Sequence, residues 1–202
     1  MVIEESSLKF KFPEETRAIK FDDTEFYRRE FNKLPQGKGV DIIADAPDLI
    51  QLIEIKNCKD HEIENMWRTS TNNSKLSSAP HTLDISDRDS LDIEVAKKVS
   101  STISCLYGAW TKSERDAKAQ KLIPFWEGIN TLRISRDRKQ VVVLLFLEGD
   151  FGVPTSQSRS KRMIMQRIQE SLSQKLEWLN CRVVVVDSDT YKKRYFEVEY
   201  TS

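Results

Sequence analysis

Asp41, Glu54 and Lys56 are three charges set among apolar, β-branched residues in the run GVDIIADAPDLIQLIEIKN, residues 39–57. Charge in such surroundings needs a partner or a bound ion. Val40 to Ala44 and Leu49 to Asn57 read as strands, and Asp45-Ala46-Pro47-Asp48 between them has turn chemistry, so the pair predicts an antiparallel hairpin. Side chains alternate along a strand, so Glu54 and Lys56 share a face while Ile53 and Ile55 take the other. A turn centred on Ala46-Pro47 sets Asp45 opposite Asp48 and Asp41 opposite Leu52, which puts Asp41 on the same face as Glu54 and Lys56. Glu54 is then the diagonal neighbour of Asp41, at roughly 7–8 Å between Cα atoms, close enough for both carboxylates to hold one cation. A one-residue slip of register would separate them, and a solvated strand face is the plainer reading of Glu-x-Lys taken alone.

A third carboxylate can come from the preceding helix. Thr24 to Leu34 carries Phe26, Tyr27, Phe31 and Leu34 on one arc, and Glu30 falls inside it at about 40° from Phe26 on a 100° wheel. Glu25 lies outside that arc and is the alternative; a glutamate at the rim of a helix–sheet contact is the plainer reading of Glu30.

The elements that must position these residues follow from the rest of the chain. Pro35-Gln36-Gly37-Lys38-Gly39 breaks the first helix, and Thr69 to Ala79 reads as a long, exposed polar loop. Leu91, Val95, Val99, Ile103, Leu106 and Trp110 recur as one helical stripe, capped by Asp89 or Ser90. Gln140 to Leu147 and Cys181 to Val186 are continuous apolar runs, the pattern of strands covered on both faces, and a second amphipathic helix (Ile164, Ile168, Leu172, Leu176, Leu179) lies between them. That order favours a parallel crossover. Tyr195 to Tyr200 alternates as an edge strand. The expected fold is α/β, a mixed central sheet flanked by helices, in the order helix, hairpin, helix, strand, helix, strand.

Composition bounds the function classes. With 202 residues, 32 Lys+Arg against 32 Asp+Glu and 39 % apolar residues, residues 1–202 read as one domain that needs no disulfide framework. Three scattered cysteines without a C-x-x-C pair, and no apolar run near 18 residues, point to a cytoplasmic protein without membrane association. His61, His81 and Cys58 lack zinc spacing. Charge is uneven: acids crowd the first thirty residues, while Arg133, Arg136, Arg138, Lys139, Arg159, Lys161 and Arg162 lie in the later half. The bland reading of those cations is a solvated turn and a helix start; the sharper one is phosphate contact by Arg159, Lys161 and Arg162. Trp67, Trp110, Trp126 and Trp178 lie mostly at apolar spacing, which predicts core positions.

An Asp on one strand followed a dozen residues later by Glu-x-Lys on the next resembles the signature of the PD-(D/E)xK nuclease superfamily, and the element order resembles its restriction-endonuclease-like core. Val40 stands where that signature has proline. The resemblance implies that Asp41, Glu54 and Glu30 are ligands of a divalent metal, Mg²⁺ with Mn²⁺ as a substitute, and that Lys56 is the catalytic lysine. It also implies a basic contribution from the next helix, for which Lys98 stands at the margin of the apolar stripe. More narrowly, Lys38 to Asn57 and Ile93-Glu94-Val95-Ala96-Lys97-Lys98-Val99 resemble an uncharacterised bacterial group with this core. The implied activity is metal-dependent hydrolysis of DNA phosphodiester bonds, in which the metal activates water and Lys56 orients it, helps deprotonate it or stabilises the developing charge. A homodimer would suit a cut in both strands. The alternative is a catalytically inactive relative that binds nucleic acid or protein.

Overall fold

The computed structural model describes residues 1–82, 84–86, 88–130, 140–151 and 157–201, with the side chains of 157–160 excepted. In chain order the strands are β1 (Val2–Glu5), β2 (Leu8–Lys11), β3 (Arg17–Lys20), β4 (Ile42–Asp45), β5 (Leu49–Asn57), β6 (Gln140–Glu148), β7 (Cys181–Val186) and β8 (Glu197–Tyr200). The helices are α1 (Glu25–Arg29), α2 (Glu62–Asn65), α3 (Leu91–Lys112), α4 (Ala117–Gln120), α5 (Ile123–Asn130) and α6 (Gln157–Lys175).

Five strands form a mixed sheet in the order β3-β4-β5-β6-β7, antiparallel from β3 to β5 and parallel from β5 to β7. The continuous apolar run of β6 is covered on both faces, as its sequence predicts. On one side Val143, Leu145 and Leu147 join Leu52, Val95, Val99, Ile168 and Leu172 beneath α3 and α6. On the other, Leu144 and Phe146 pack with Ile42, Ile53, Leu8, Phe10 and Phe196 against a smaller antiparallel sheet, β1-β2-β8. Burying four apolar side chains on one face (Val141, Val143, Leu145, Leu147) and three on the other (Val142, Leu144, Phe146), at about 1.5–3 kcal/mol apiece, is why β6 tolerates no polar residue in its middle.

Four expectations change. The acidic N-terminus holds three strands rather than none, because Ile3, Leu8, Phe10 and Ala18 alternate inward between charges that face water. The C-terminal strand pairs with β2 and not with the edge of the main sheet, since Val198 opposes Phe10. The polar stretch after residue 69 is not a free loop. It folds into short 3₁₀ turns docked on α3, with the Asn73 and Ser90 backbone N–H groups each donating to the other residue's side-chain oxygen, at 3.0 and 2.6 Å. Finally, Trp67 alone of the four tryptophans is fully buried; Trp110 and Trp178 are exposed, and Trp110 joins Tyr107 and Trp126 in a surface aromatic cluster. No helix among the described residues is long and apolar enough to cross a membrane.

Candidate active site

The approach to Asp41 is fixed by close packing. Gly39 donates its N–H to the Tyr27 hydroxyl at 3.0 Å, and a Cβ there would lie 2.6 Å from the Phe21 ring, so only glycine fits. Val40 N–H then donates to Thr102 Oγ1 of α3 at 3.0 Å. The hairpin register is Ile42 opposite Ile53 and Asp45 opposite Ile50, with Ala46 N–H donating to Leu49 O. The turn is thus centred on Pro47-Asp48, one residue beyond the expected Ala46-Pro47, which moves every cross-strand partner by two. An even shift preserves the face of every side chain, and continuing the register by one residue brings Asp41 directly opposite Glu54 rather than diagonal to it. Asp41 Oδ2 accepts the Ile55 N–H at 2.7 Å, locking the carboxylate across the strands.

Helix periodicity completes what strand periodicity begins. Glu94 and Lys98, four apart on α3, lie over Glu54 and Lys56, two apart on β5. Lys98 Nζ donates to Glu54 Oε1 at 2.6 Å and lies 3.4 Å from Asp41 Oδ1. Lys56 Nζ bridges Glu54 Oε1 and Glu94 Oε1, both at 2.8 Å. Glu94 Oε2 accepts from Arg68, whose guanidinium also donates to Asn65 Oδ1 at 3.1 Å and the Asp89 carbonyl at 3.2 Å. The signs alternate along one line: Asp41, Lys98, Glu54, Lys56, Glu94, Arg68. Glu54 is wholly buried, and its Oε2 has no hydrogen-bond partner.

These neighbours set the protonation states. Burial pushes the Glu54 carboxyl up to about 7, with Lys56 pulling against it and the Asp41 charge adding to it. Burial is the largest single influence on Lys56 and Lys98 and works against their charge, but the anions around them together outweigh it, Glu54 with Glu94 at Lys56 and Glu54 with Asp41 at Lys98; both ammoniums are held above the ordinary lysine range. Burial also opposes ionisation of Glu94, yet Lys56 and Arg68 hold it down to about 2.

Glu94 and Glu54 should therefore tilt stability in opposite directions. Glu94 titrates below its ordinary 4.5, so its contribution is present above that pH and lost as pH falls from 4.5 to about 2, ~3 kcal/mol in all. Glu54 titrates above 4.5, so the folded chain binds the extra proton between 4.5 and about 7 and loses stability as pH rises through that window. Urea unfolding across pH should show both limbs, with Glu94→Gln flattening the acid one and Glu54→Gln the other. Limbs unaltered in those variants would contradict the assignments.

Asp41, Glu54, Lys56 and Lys98 thus come together as the sequence predicts. Glu30 does not. Glu30 caps α1 with its N–H still donating to Phe26 O, but this end of α1 meets the far end of α3, where the Glu30 carboxylate lies 3.6 Å from Lys112; it also lies 4.0 Å from Lys33. Lys112 is fourteen residues beyond Lys98, about 21 Å along α3. Glu25 pairs with Arg29 and Lys118, also away from the cluster. Lys161 pairs with Asp187 at 2.7 Å, and Arg162 is exposed on α6. The Arg159 side chain and Arg133, Arg136, Arg138 and Lys139 lie outside the described residues.

Sequence reasoning missed Asp22, Glu94 and Arg68. Asp22 follows β3, where Phe21 N–H donates to the Asp41 carbonyl at 2.8 Å; its Oδ1 is buried without a partner, and burial together with the Asp41 charge raises its pKa. The spacing of Glu94 four residues before Lys98 was the available signal for one of them; no periodicity marks Arg68. Among the described residues no group of three His, Cys, Asp or Glu side chains is arranged to hold a metal ion.

Residues 24–199 match a family of unknown function, DUF6661. The chain belongs to that family. No curated protein and no solved structure matches it. The stretch shared with the family contains the whole alternating line from Asp41 to Lys98, and leaves out β1 to β3 and Asp22.

Proposed function

We propose that this chain is a divalent-metal-dependent nuclease hydrolysing DNA phosphodiester bonds, on a restriction-endonuclease-like fold of the PD-(D/E)xK kind. The observation that carries the reading is the sharing of one ammonium, that of Lys98, by Asp41 and the fully buried Glu54, with Lys56 two residues along the same face. The order of a β3-β4-β5 meander, an α3 crossover and a parallel β6 supports it.

The donor set suits a hard cation. A positive charge already lies between the two carboxylates, and Glu54 Oε2 lacks any partner. Mg²⁺ is commonly held by one or two carboxylates plus substrate phosphates, so Asp41 and Glu54 are a sufficient protein share, with Asp22 adjacent. When bound, the metal lowers the pKa of its water and acts as a Lewis acid toward the phosphate. The chain's own residues do the rest. Lys56, an ammonium paired with Glu54 and Glu94, is placed as a donor to the attacking water or a phosphate oxygen. Glu94 and Arg68 fix the Lys56 ammonium in place. Lys98 supplies a second positive charge at the rim of the carboxylates.

A non-catalytic relative, binding nucleic acid or protein, is the second reading, favoured by the absence of a three-carboxylate cluster among the described residues. Calorimetric titration with Mn²⁺ and Mg²⁺ separates the two. Binding that is lost in Asp41→Asn is expected; no binding of either ion by the native chain overturns the metal-dependent reading.

A further inference from the structure

Beside the charged line, a cleft of about 240 Å³ opens over the N-terminal half of α3, with Lys98 and Glu94 in its wall together with Asp89, Lys97, Lys38 and Arg88. Its acids are already engaged. Glu94 is held by Lys56 and Arg68, and Asp89 by Lys97 at 2.7 Å and Asn73 at 2.9 Å. Lys98 is likewise committed to Glu54 and Asp41. What remains is Lys38, from the loop before β4, and Arg88, from the loop before α3; both are exposed, and neither forms an ion pair with a described residue. The cleft therefore presents two cations without a close ion-pair partner among the described residues, Arg88 having only the more distant Asp84 carboxylate near it, immediately next to a site that holds its own charges in balance. A ligand with several anionic groups in series, as in a polynucleotide strand but not in an isolated phosphodiester, can meet both cations and the charged line at once.

Resting on the nuclease reading, we infer that Lys38 and Arg88 bind successive phosphates beyond the one cleaved, so that the strand runs over the start of α3 past Lys38 and Arg88 and the chain prefers polynucleotides to small diesters. Phosphate contacts of this kind position the strand without reading its bases, so the preference is for chain length and charge rather than sequence.

The test compares the native chain with the double variant Lys38→Ala/Arg88→Ala. Both positions are exposed, so the variant keeps the fold. With Mg²⁺, the ratio of kcat/KM on a labelled duplex oligonucleotide to that on bis(p-nitrophenyl) phosphate should fall at least tenfold. With Ca²⁺ in place of Mg²⁺, the slope of log Kd for the same duplex against log salt should become shallower by about 2, one unit for each lost phosphate contact. An unchanged slope overturns the inference, and so does an unchanged ratio in an active enzyme. If the native chain cleaves neither substrate, the nuclease reading fails, and the salt slope alone still decides whether Lys38 and Arg88 hold phosphate.

Discussion

Replacing Lys56 by Met should lower metal-dependent cleavage of DNA by about two to three orders of magnitude while leaving Mn²⁺ binding intact. The size follows from removing a single preorganised donor aimed at developing negative charge, which typically costs 10²–10³ in rate. Metal binding should survive because the carboxylates that would hold the ion, Asp41 and Glu54, keep their backbone and Lys98 contacts. The pH dependence distinguishes a donor from a base. A donor predicts a native rate with no rising limb from lysine deprotonation between about pH 7.5 and 9, and a base predicts one. Retention of more than a tenth of native activity by Lys56→Met, measured as single-turnover cleavage, would remove Lys56 from the chemistry.

The second large effect is structural. Asp92, in the first turn of α3, is wholly buried and accepts hydrogen bonds from Ser90 Oγ at 2.6 Å, Ser171 Oγ at 2.8 Å and the Asn72 N–H at 3.1 Å, besides an ion pair with Lys175 at 2.8 Å. It ties α3 to α6 and to the docked polar turns in one network. Asp92→Ala leaves three donors and an ammonium without their acceptor, and breaking a buried pair from one side costs about 3–5 kcal/mol. Lys175 is partly exposed and can turn to water, which favours the lower end. For a domain of this size the melting temperature should fall by roughly 10 °C. A change under about 1 kcal/mol would mean that the network rearranges around the gap. The same variant should also lower activity, because α3 carries both Glu94 and Lys98.

What the sequence made legible was whatever depends on parity and period. Asp41, Glu54 and Lys56 were assigned to one face by counting, and the two-residue difference in register did not disturb that, because strand faces repeat every second residue. Lys98 came from the family resemblance, which implies a basic residue on the next helix, and its angle at the margin of a long apolar stripe then singled it out. Glu30 failed for a different reason: its N–H still closes the α-turn onto Phe26, so its angle holds, but tertiary packing sets that side of α1 against the Lys112 end of α3. The strands β1 to β3 were hidden because each is four residues long and half of its residues are charged or face water. Arg68 was beyond reach by any local pattern, since its place beside Glu94 depends on how 3₁₀ turns dock against a helix that begins more than twenty residues later. Reading tertiary partners across such a gap requires the fold itself.

The central claim is that Asp41 and Glu54 form a metal-dependent hydrolytic site. The most direct measurement incubates supercoiled plasmid with the native chain and with Glu54→Gln, side by side, in Mg²⁺ and in EDTA. The account predicts nicked or linear product from the native chain in Mg²⁺ only, and at least a thousandfold less from the variant. Cleavage that persists in EDTA, or that Glu54→Gln retains in full, would contradict it, as would an intact plasmid in every lane.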